Sequence, residues 1–232
     1  LYQDIKENKL PLTQSNTPLS FIKPSSVNNL ILPMGDTRKI IPNGEPKILY
    51  EGKLGAIVAF PVLVNSGKGH QEKMFERFVR PPGTRSIALQ DNKIFLQKEH
   101  RLETTNGFDW RPPGGKVVDS FSEYKDYIGK ELPIEIILEA GRKELREEAS
   151  LDAEKFEIFK KSPCGASVEW DLYYITAKNI THFEHNYDEG EEIIDGKWFS
   201  YEEILYMCRN GEIDEDRTVS ALYQFINKDF DK

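Results

Sequence analysis

The sequence predicts an α/β sandwich, a layered fold in which helices pack on a β-sheet. Short runs rich in β-branched and aromatic residues alternate with amphipathic helix patterns, in the order strands, helix, strands, helices. The 232 residues are 38% hydrophobic and 30% charged, a balance typical of a folded globular protein. This order favours a sandwich over a doubly wound parallel sheet.

Charge and hydropathy exclude two classes of protein. The net charge is −8, whereas a protein that binds a nucleic-acid backbone normally carries a basic domain. The longest apolar run, 55–64, contains Pro61 and is shorter than the roughly 18 residues of a membrane helix. We therefore expect neither a nucleic-acid partner nor a membrane span. The acidity fits a site that gathers carboxylates around cations, and equally an ordinary soluble surface.

Cysteine usage indicates the cellular compartment. Cys164 and Cys208 show no CxxC pattern, so we expect free thiols in a reducing compartment rather than a zinc site. The visible start of the chain, 1–9, is too polar for a secretory signal peptide. The prediction is a cytoplasmic protein.

The chain divides into 1–45 and 46–232. The first segment is rich in Asn, Pro, Ser and Thr without a sustained period, which predicts a partly ordered extension. Two prolines and two glycines within 110–115 predict a tight loop. Before this loop, strand-like runs occupy 48–64, 74–80, 85–89 and 93–97, with a turn at 90–92.

Helices and strands alternate after the loop. Pro133 is placed to open a helix that runs to about Ala149. Its apolar stripe consists of Ile136, Ile137, Ala140 and Leu145. Ser200 and Glu203 form a capping-box pattern for a helix that ends near Gly211. Further strands are expected at 156–160, 168–176 and 193–199, and a last helix at 217–226.

The first of these helices carries glutamates at a spacing suited to a metal. Glu144 and Glu148 are four residues apart and share one face, with Glu147 beside them. Like charges at this spacing repel, whereas Mg²⁺ prefers such hard oxygen ligands and reverses the sign of the interaction. The alternative is a solvated helix face on which Lys143 and Glu147 form an ordinary ion pair.

This segment resembles the box of the Nudix hydrolase family. The box is a glycine, five residues, a glutamate, seven residues, then Arg-Glu-aliphatic-x-Glu-Glu-x-Gly-aliphatic; Gly129, Glu135 and the run 143–151 match these spacings. Lys143 replaces the arginine and loses its bidentate fork, and Ser150 replaces the last glycine. The resemblance implies an α/β/α sandwich with a mixed sheet, to which 1–45 is added as an N-terminal extension on the ground of its composition.

A second glycine competes for the first position of the box. The Gly114-Gly115 pair resembles the family's glycine loop, yet Gly115 precedes Gly129 by 14 residues. We favour Gly115 as the structural equivalent, which makes 117–130 an insertion and the Gly129 match accidental. The insertion carries Phe121, Tyr124 and Tyr127, and we expect it to shape either the pocket or a dimer contact.

Features outside the box resemble the ADP-ribose pyrophosphatase branch of the family. They are a Gln-x-x-Arg-like strand end at 97–101, a Ser-Pro-Cys-Gly element at 162–165 followed by Glu169, an acidic loop at 189–193 and a final helix pair at 209–222. The resemblance covers about 48–225. It implies a homodimer that forms through N-terminal strands, with 48–64 as the candidate segment.

The resemblance also implies a metal site. Glu144 and Glu148 would be the main ligands of Mg²⁺, or alternatively Mn²⁺, with Glu147 helping or just behind them. The carbonyl of Gly114 would complete the shell of a metal. Cations at this position neutralise a pyrophosphate, lower the pKa of a bound water and align attacking and leaving groups.

The general base is implied to lie in the acidic loop. Glu191 would deprotonate the attacking water, with Glu189 or Glu192 as alternatives. A loop position suits a base that moves in when the substrate binds. The same acidic run is also compatible with a solvated turn.

Four further residues are candidates for substrate binding. Arg101 and Arg80 would bind the pyrophosphate through the guanidinium fork, although Arg80 also suits a plain surface charge. Arg111 stands where the branch often has a glutamate, which leaves the substrate open. Trp110 would stack on a base or pack in the core.

The implied activity is Mg²⁺-dependent hydrolysis of the pyrophosphate bond of a small nucleoside diphosphate derivative. ADP-ribose, giving AMP and ribose 5-phosphate, is the first choice. Nucleotide sugars such as GDP-mannose, and dinucleotides, are the alternatives. A different class is a Nudix fold used as a non-catalytic ligand sensor; such proteins usually lose box glutamates, which are present here.

Overall fold

The computed structural model describes residues 40–65, 69–104, 107–182 and 193–230. The strands before the first helix are β1 (Ile40–Pro42), β2 (Lys47–Glu51), β3 (Ala56–Asn65), β4 (His70–Val79), β5 (Gly83–Gln90), β6 (Lys93–His100) and β7 (Phe108–Arg111). There follow α1 (Phe121–Tyr124), a 3-10 turn (Lys125–Tyr127), α2 (Ile134–Ala149), β8 (Leu151–Ser162), β9 (Val168–Glu169), β10 (Leu172–His182), β11 (Ile193–Ser200), α3 (Tyr201–Asn210) and α4 (Asp216–Phe230). No helix within these ranges has both the length and the apolar character needed to cross a membrane.

The first sheet is built on a long hairpin. β3 and β4 pair antiparallel from Ala56 opposite Val79 to Asn65 opposite His70. β1 and β2 both pair with β3, and β9 pairs with β4 in parallel. β1 falls within 1–45, the segment predicted as an extension, so the end of that segment contributes a strand to the sheet.

The second sheet has the order β11-β6-β5-β10-β8, with β7 paired to β6. Its central pair, β5 and β10, is parallel and the other pairs are antiparallel, so the sheet is mixed as expected. The turn between β5 and β6 lies where the sequence predicts it. Asp91 and Asn92 have φ of 50° and 58°, the left-handed conformation that a tight hairpin turn requires.

Helices cover both faces of the second sheet. On one face, Ile137 of α2 packs in a cluster with Ile175 of β10. On the other face, Ile204 of α3 and Leu222 of α4 pack in a cluster with Ile87 of β5. The predicted α/β/α sandwich is therefore confirmed.

The helix ends follow the predicted signals. α2 begins directly after Pro133 and ends at Ser150, whose φ of 52° is left-handed. This conformation explains why the box has a glycine there. The capping box of Ser200 and Glu203 is formed at the start of α3, and Gly211, with φ of 72°, ends that helix.

The insertion 117–130 is packed against α2. Phe121 and Tyr124 of α1 are buried in the same cluster as Ile137 and Ala140 of α2. Lys125 at the far end of α1 contacts Glu51 of β2, with Nζ 2.7 Å from Oε2. The insertion is therefore part of the core on the α2 side of the sheet.

Candidate active site

The Gly-Gly loop is fixed to the start of β5 by backbone hydrogen bonds. The amide of Thr84 donates to the Gly115 carbonyl at 2.8 Å, and the amide of Ser86 donates to the Pro113 carbonyl at 2.7 Å. A Cβ added to Gly114 would overlap the carbonyl oxygen of Thr84. Only glycine therefore lets the loop lie this close to the strand.

The loop lies beside the end of α2. A Cβ added to Gly115 would overlap the carboxylate of Glu144, so this carboxylate occupies the space beside the Gly115 Cα. Gly129, the competing box glycine, has φ of 74°, and its Cβ position is 3.4 Å from Pro46 Cγ. Gly115 is thus the glycine that contacts Glu144 of the box, and Gly129 lies in a turn of the insertion.

Glu148 is held at the same loop. Its Oε2 accepts hydrogen bonds from the Gly114 amide and from Nε2 of Gln97, both at 2.7 Å. The same Gln97 nitrogen donates to Oε1 of Glu99 at 2.9 Å. Burial, and next the nearby Glu99 carboxylate, raise the pKa of Glu148 to about 8. The positive charge around this buried carboxylate is therefore too small to stabilise its ionised form fully.

Glu147 faces a different environment. It borders a second cavity of about 690 Å³ between α2 and the insertion, together with Lys143 and Asp119. Lys143 Nζ lies 3.6 Å from Asp119 Oδ1, and the Glu147 charge raises the pKa of Lys143. The lysine in the arginine position of the box thus contacts the insertion.

The donors at the loop fit a hard divalent cation. Across the described ranges, no three acidic, histidine or cysteine side chains are gathered closely enough to form a ready-made metal site. However, Glu144 and Glu148 both lie against the Gly114-Gly115 backbone, and carboxylate and carbonyl oxygens are the ligands that Mg²⁺ prefers. The Gly114 carbonyl accepts a hydrogen bond from Nη1 of Arg85 at 2.6 Å and keeps a second lone pair.

The loop also lines a cavity of about 480 Å³. We call it the arginine cavity because its lining includes Arg80, Arg85, Arg101 and Arg111, along with Gly114, Gly115, Lys116 and Trp170. The structure therefore brings the three arginines predicted to bind substrate into one cavity. A cavity that holds guanidinium groups beside a loop contacted by two carboxylates suits a phosphate–metal complex.

Most of these arginines have carboxylate partners. Arg101 Nη2 contacts Glu99, and Arg111 Nη2 contacts the fully buried Asp109. Arg85 Nε lies 3.8 Å from Glu215 Oε2. Among the described residues, no carboxylate lies within ion-pair distance of Arg80.

Trp110 packs in the core. Its ring meets Phe199 edge-on, with 5.0 Å between ring centres, and it packs against the cluster beneath α3 and α4. The ring is outside the lining of the arginine cavity. The structure thus favours the second of the two roles considered for Trp110.

Sequence reasoning gave no role to several residues of the site: Arg85, Gln97, Glu99, Trp170 and Glu215. A signal existed for Arg85, a charged residue within the buried run of β5, since a buried charge requires partners. Trp170 had no such signal. The predicted bases Glu189, Glu191 and Glu192 lie outside the described residues and stay predictions.

The family is decided by a sequence match. The profile of the NUDIX domain matches residues 79–222, which is more than half of the chain. The chain belongs to the Nudix family. The predicted Nudix enzyme is thereby confirmed, and the match covers the glycine loop, α2 and the arginine cavity. No curated protein of similar sequence was found.

This chain is similar to several solved structures, of which the first named here shares its fold. The crystal structure of an ADP compounds hydrolase is 17% identical, covers 81% of this chain and 93% of its own, and has a TM-score of 0.58. The solution structure of the E. coli ORF135 protein is 20% identical, with coverage of 63% and 89% and a TM-score of 0.44. A MutT Nudix hydrolase from Burkholderia pseudomallei is 19% identical, with coverage of 62% and 96% and a TM-score of 0.42.

Proposed function

We propose that this Nudix enzyme hydrolyses the pyrophosphate bond of a nucleoside diphosphate derivative in the presence of Mg²⁺. The observation that carries the proposal is the shared loop: Glu144 and Glu148 lie against Gly115 and Gly114, and both glycines also line the arginine cavity. Carboxylates for a cation and guanidinium groups for phosphates therefore meet at one place. ADP-ribose is the substrate we propose, from the sequence resemblance.

The proposed metal ligands are Glu144, Glu148 and the Gly114 carbonyl, with Glu147 helping or just behind them. Mg²⁺, or Mn²⁺ in its place, would neutralise phosphate charge and lower the pKa of a bound water. The Gly114 amide and Gln97 orient Oε2 of Glu148 through their hydrogen bonds. Outer partners of this kind fix the position of a metal ligand.

The proposed substrate contacts come from the arginine cavity. Arg80 and Arg101 would donate to the pyrophosphate oxygens, and Arg111, which is held by its buried pair with Asp109, would offer a further guanidinium at the cavity wall. Glu191, or Glu189 or Glu192, would accept the proton of the attacking water. A P–O bond forms to that water oxygen while the anhydride P–O bond breaks.

A substrate panel tests the proposal. Phosphate release would be measured with Mg²⁺ and a coupled phosphatase from ADP-ribose, GDP-mannose, NADH, diadenosine polyphosphates and nucleoside triphosphates. We expect selective turnover of ADP-ribose that Glu148→Gln abolishes. Glu139→Gln is the matched control, since Glu139 lies on the same helix with 71% of its side chain exposed.

The other outcomes separate the alternatives. Turnover of GDP-mannose or a dinucleotide instead would keep the chemistry and change the substrate. Binding without turnover of any compound would contradict the proposed activity and favour the ligand sensor. The retained Glu144, Glu147 and Glu148 favour the enzyme.

We also propose a homodimer. Apolar side chains of β2 and its neighbours are exposed: Ile48, Leu49, Tyr50, Leu54 and Met74. Exposed apolar patches of this kind mark interaction surfaces. Sedimentation of the wild type should give a dimer and Leu49→Asp a monomer; a monomeric wild type would contradict the proposal. The proposed cytoplasmic location rests on the unpaired Cys164 and Cys208.

A further inference from the structure

Arg80 lies against an indole ring at the wall of the arginine cavity. Its Cζ is 4.3 Å from the centre of the Trp170 ring, and the Cζ of Arg217 lies at the same distance from that ring. We call Arg80, Trp170 and Arg217 the arginine–indole cluster. Attraction between a guanidinium and an aromatic face orders the arginine side chain and is stronger where water is excluded.

Among the described residues, a carboxylate lies beside Arg217, whereas none lies within ion-pair distance of Arg80. Nη2 of Arg217 lies 3.6 Å from Glu215 Oε1, and its Nη1 donates to the Trp170 carbonyl at 3.0 Å. The Nε of Arg80 is buried, and within the described residues it has no hydrogen-bond partner. Burial, and then the charge of Arg217, lower the pKa of Arg80. An anion beside Arg80 would offset this unfavourable surplus of positive charge.

The cluster is next to the glycine loop. A Cβ added to Gly83 would lie 3.1 Å from the Gly115 carbonyl oxygen and 3.8 Å from Nε1 of Trp170. Trp170 and the glycine loop therefore both lie close to Gly83, and Arg80, Trp170 and Gly114 all line the arginine cavity. A ligand in this cavity would therefore meet the Arg80 guanidinium and the backbone of the glycine loop together.

We infer that Trp170 and Arg217 are positioning residues, which hold the Arg80 guanidinium ready to bind one phosphate of the substrate. The inference rests on the proposed function for the identity of the ligand. α4, which carries Arg217, thereby contributes to phosphate binding although Arg217 itself lies outside the cavity lining. The ligand class is a pyrophosphate-containing nucleotide.

The test measures ADP binding without Mg²⁺, by calorimetry in EDTA. We expect Arg80→Met to weaken binding about tenfold or more, the loss of a charge-assisted hydrogen bond. Trp170→Leu should weaken it about threefold to tenfold, and Trp170→Phe, which keeps an aromatic face, should restore most of the affinity. Arg217→Gln should fall between Trp170→Phe and Trp170→Leu.

A double variant shows whether Trp170 acts through Arg80. In the Arg80→Met background, Trp170→Leu should cause no further loss, because residues that act as a unit are non-additive. Additive losses, or an unchanged affinity in Trp170→Leu, would overturn the inference. Arg77→Met is the matched control: Arg77 also lies over an aromatic ring, that of Phe60, but is paired with Glu169 and is outside the cavity lining.

Fold and function are checked separately. Circular dichroism and thermal unfolding identify any variant that fails to fold, and Trp170→Phe with Arg217→Gln then carries the test. Mg²⁺-dependent hydrolysis is measured in parallel, where the positioning role predicts a raised KM with kcat changed little. If the wild type binds ADP with the expected variant pattern but hydrolyses nothing, the proposed function fails and the positioning inference stands.

Discussion

Glu147 and Glu148 are neighbours in the sequence but have different surroundings. Glu148 accepts two hydrogen bonds from the glycine loop and β6, and burial raises its pKa to about 8. Glu147 borders the open cavity beside the insertion, where its charge raises the pKa of Lys143. One residue turns a helical side chain by about 100°, which moves it from the loop side of α2 to the insertion side. The box spacing identifies the glutamates, and contact with the glycine loop distinguishes Glu148 from Glu147.

Substitution of each glutamate tests this ranking most directly. Glu148→Gln should reduce kcat by more than about a hundredfold, above the 10- to 100-fold that loss of an outer-shell partner costs. Glu147→Gln should reduce kcat about tenfold or less, because its side chain lies away from the loop. Steady-state kinetics with saturating Mg²⁺ gives both numbers. Equal losses would contradict the difference between the two sides of the helix.

Alanine substitutions at the two loop glycines should have different effects, one on stability and the other on kcat. Gly114→Ala pushes a methyl group into the Thr84 backbone, so it should lower the free energy of unfolding by about 1–3 kcal/mol, as overpacking does. Gly115→Ala meets the movable end of the Glu144 side chain and should lower kcat with little loss of stability. Thermal unfolding and kinetics on both variants separate the effects. A stable and fully active Gly115→Ala would refute the contact.

Gln97 should matter through Glu148. Gln97→Leu keeps the volume of a fully buried side chain but removes the donor that Glu148 and Glu99 share. We expect the apparent affinity for Mg²⁺ to fall roughly tenfold, as for other outer-shell partners. A titration of hydrolysis rate against Mg²⁺ concentration measures this. An unchanged titration curve would show that the Gly114 amide alone orients Glu148.

The smallest effect is expected on the insertion side. Gly129 has φ of 74°, so Gly129→Ala should cost about 1–2 kcal/mol of stability, the strain of a left-handed residue with a side chain. Its kcat should equal that of the wild type. Chemical denaturation and kinetics check the two statements. A large loss of activity would reinstate Gly129 as the glycine of the box.

Local signals predicted much of the fold. The helix expected between Pro133 and about Ala149 spans Ile134–Ala149. It could be predicted because its apolar period and the residues that begin and end it lie within one short segment. The capping box of Ser200 and the turn at 90–92 are equally local and equally confirmed. The match of the box also placed Glu144 and Glu148 on the helix face that meets the loop.

Contacts that depend on the pairing of strands could not be predicted from the sequence. Arg111 and Trp110 are consecutive residues of β7, yet Arg111 lines the cavity and Trp110 packs beneath α3 and α4. Their directions follow from the alternation of a strand and from the pairing of β7 with β6, opposite Gln97 and Lys98. That register depends on residues far apart in the chain. The ion pair of Arg85 with Glu215 could not be predicted for the same reason.

The parallel pairing of β5 with β10 also has a consequence for folding. It joins Gly83 to Leu172, and the parallel pairing of β4 with β9 brings Arg80 beside Trp170. Arg217 reaches the Trp170 ring only when the last helix, α4, packs. Contacts of such long sequence separation form slowly, because the loop-closure entropy must be overcome before they stabilise the chain. The arginine–indole cluster is thus complete only in the fully folded chain. A pyrophosphate ligand held by it should slow unfolding and shift the equilibrium toward the native state by mass action.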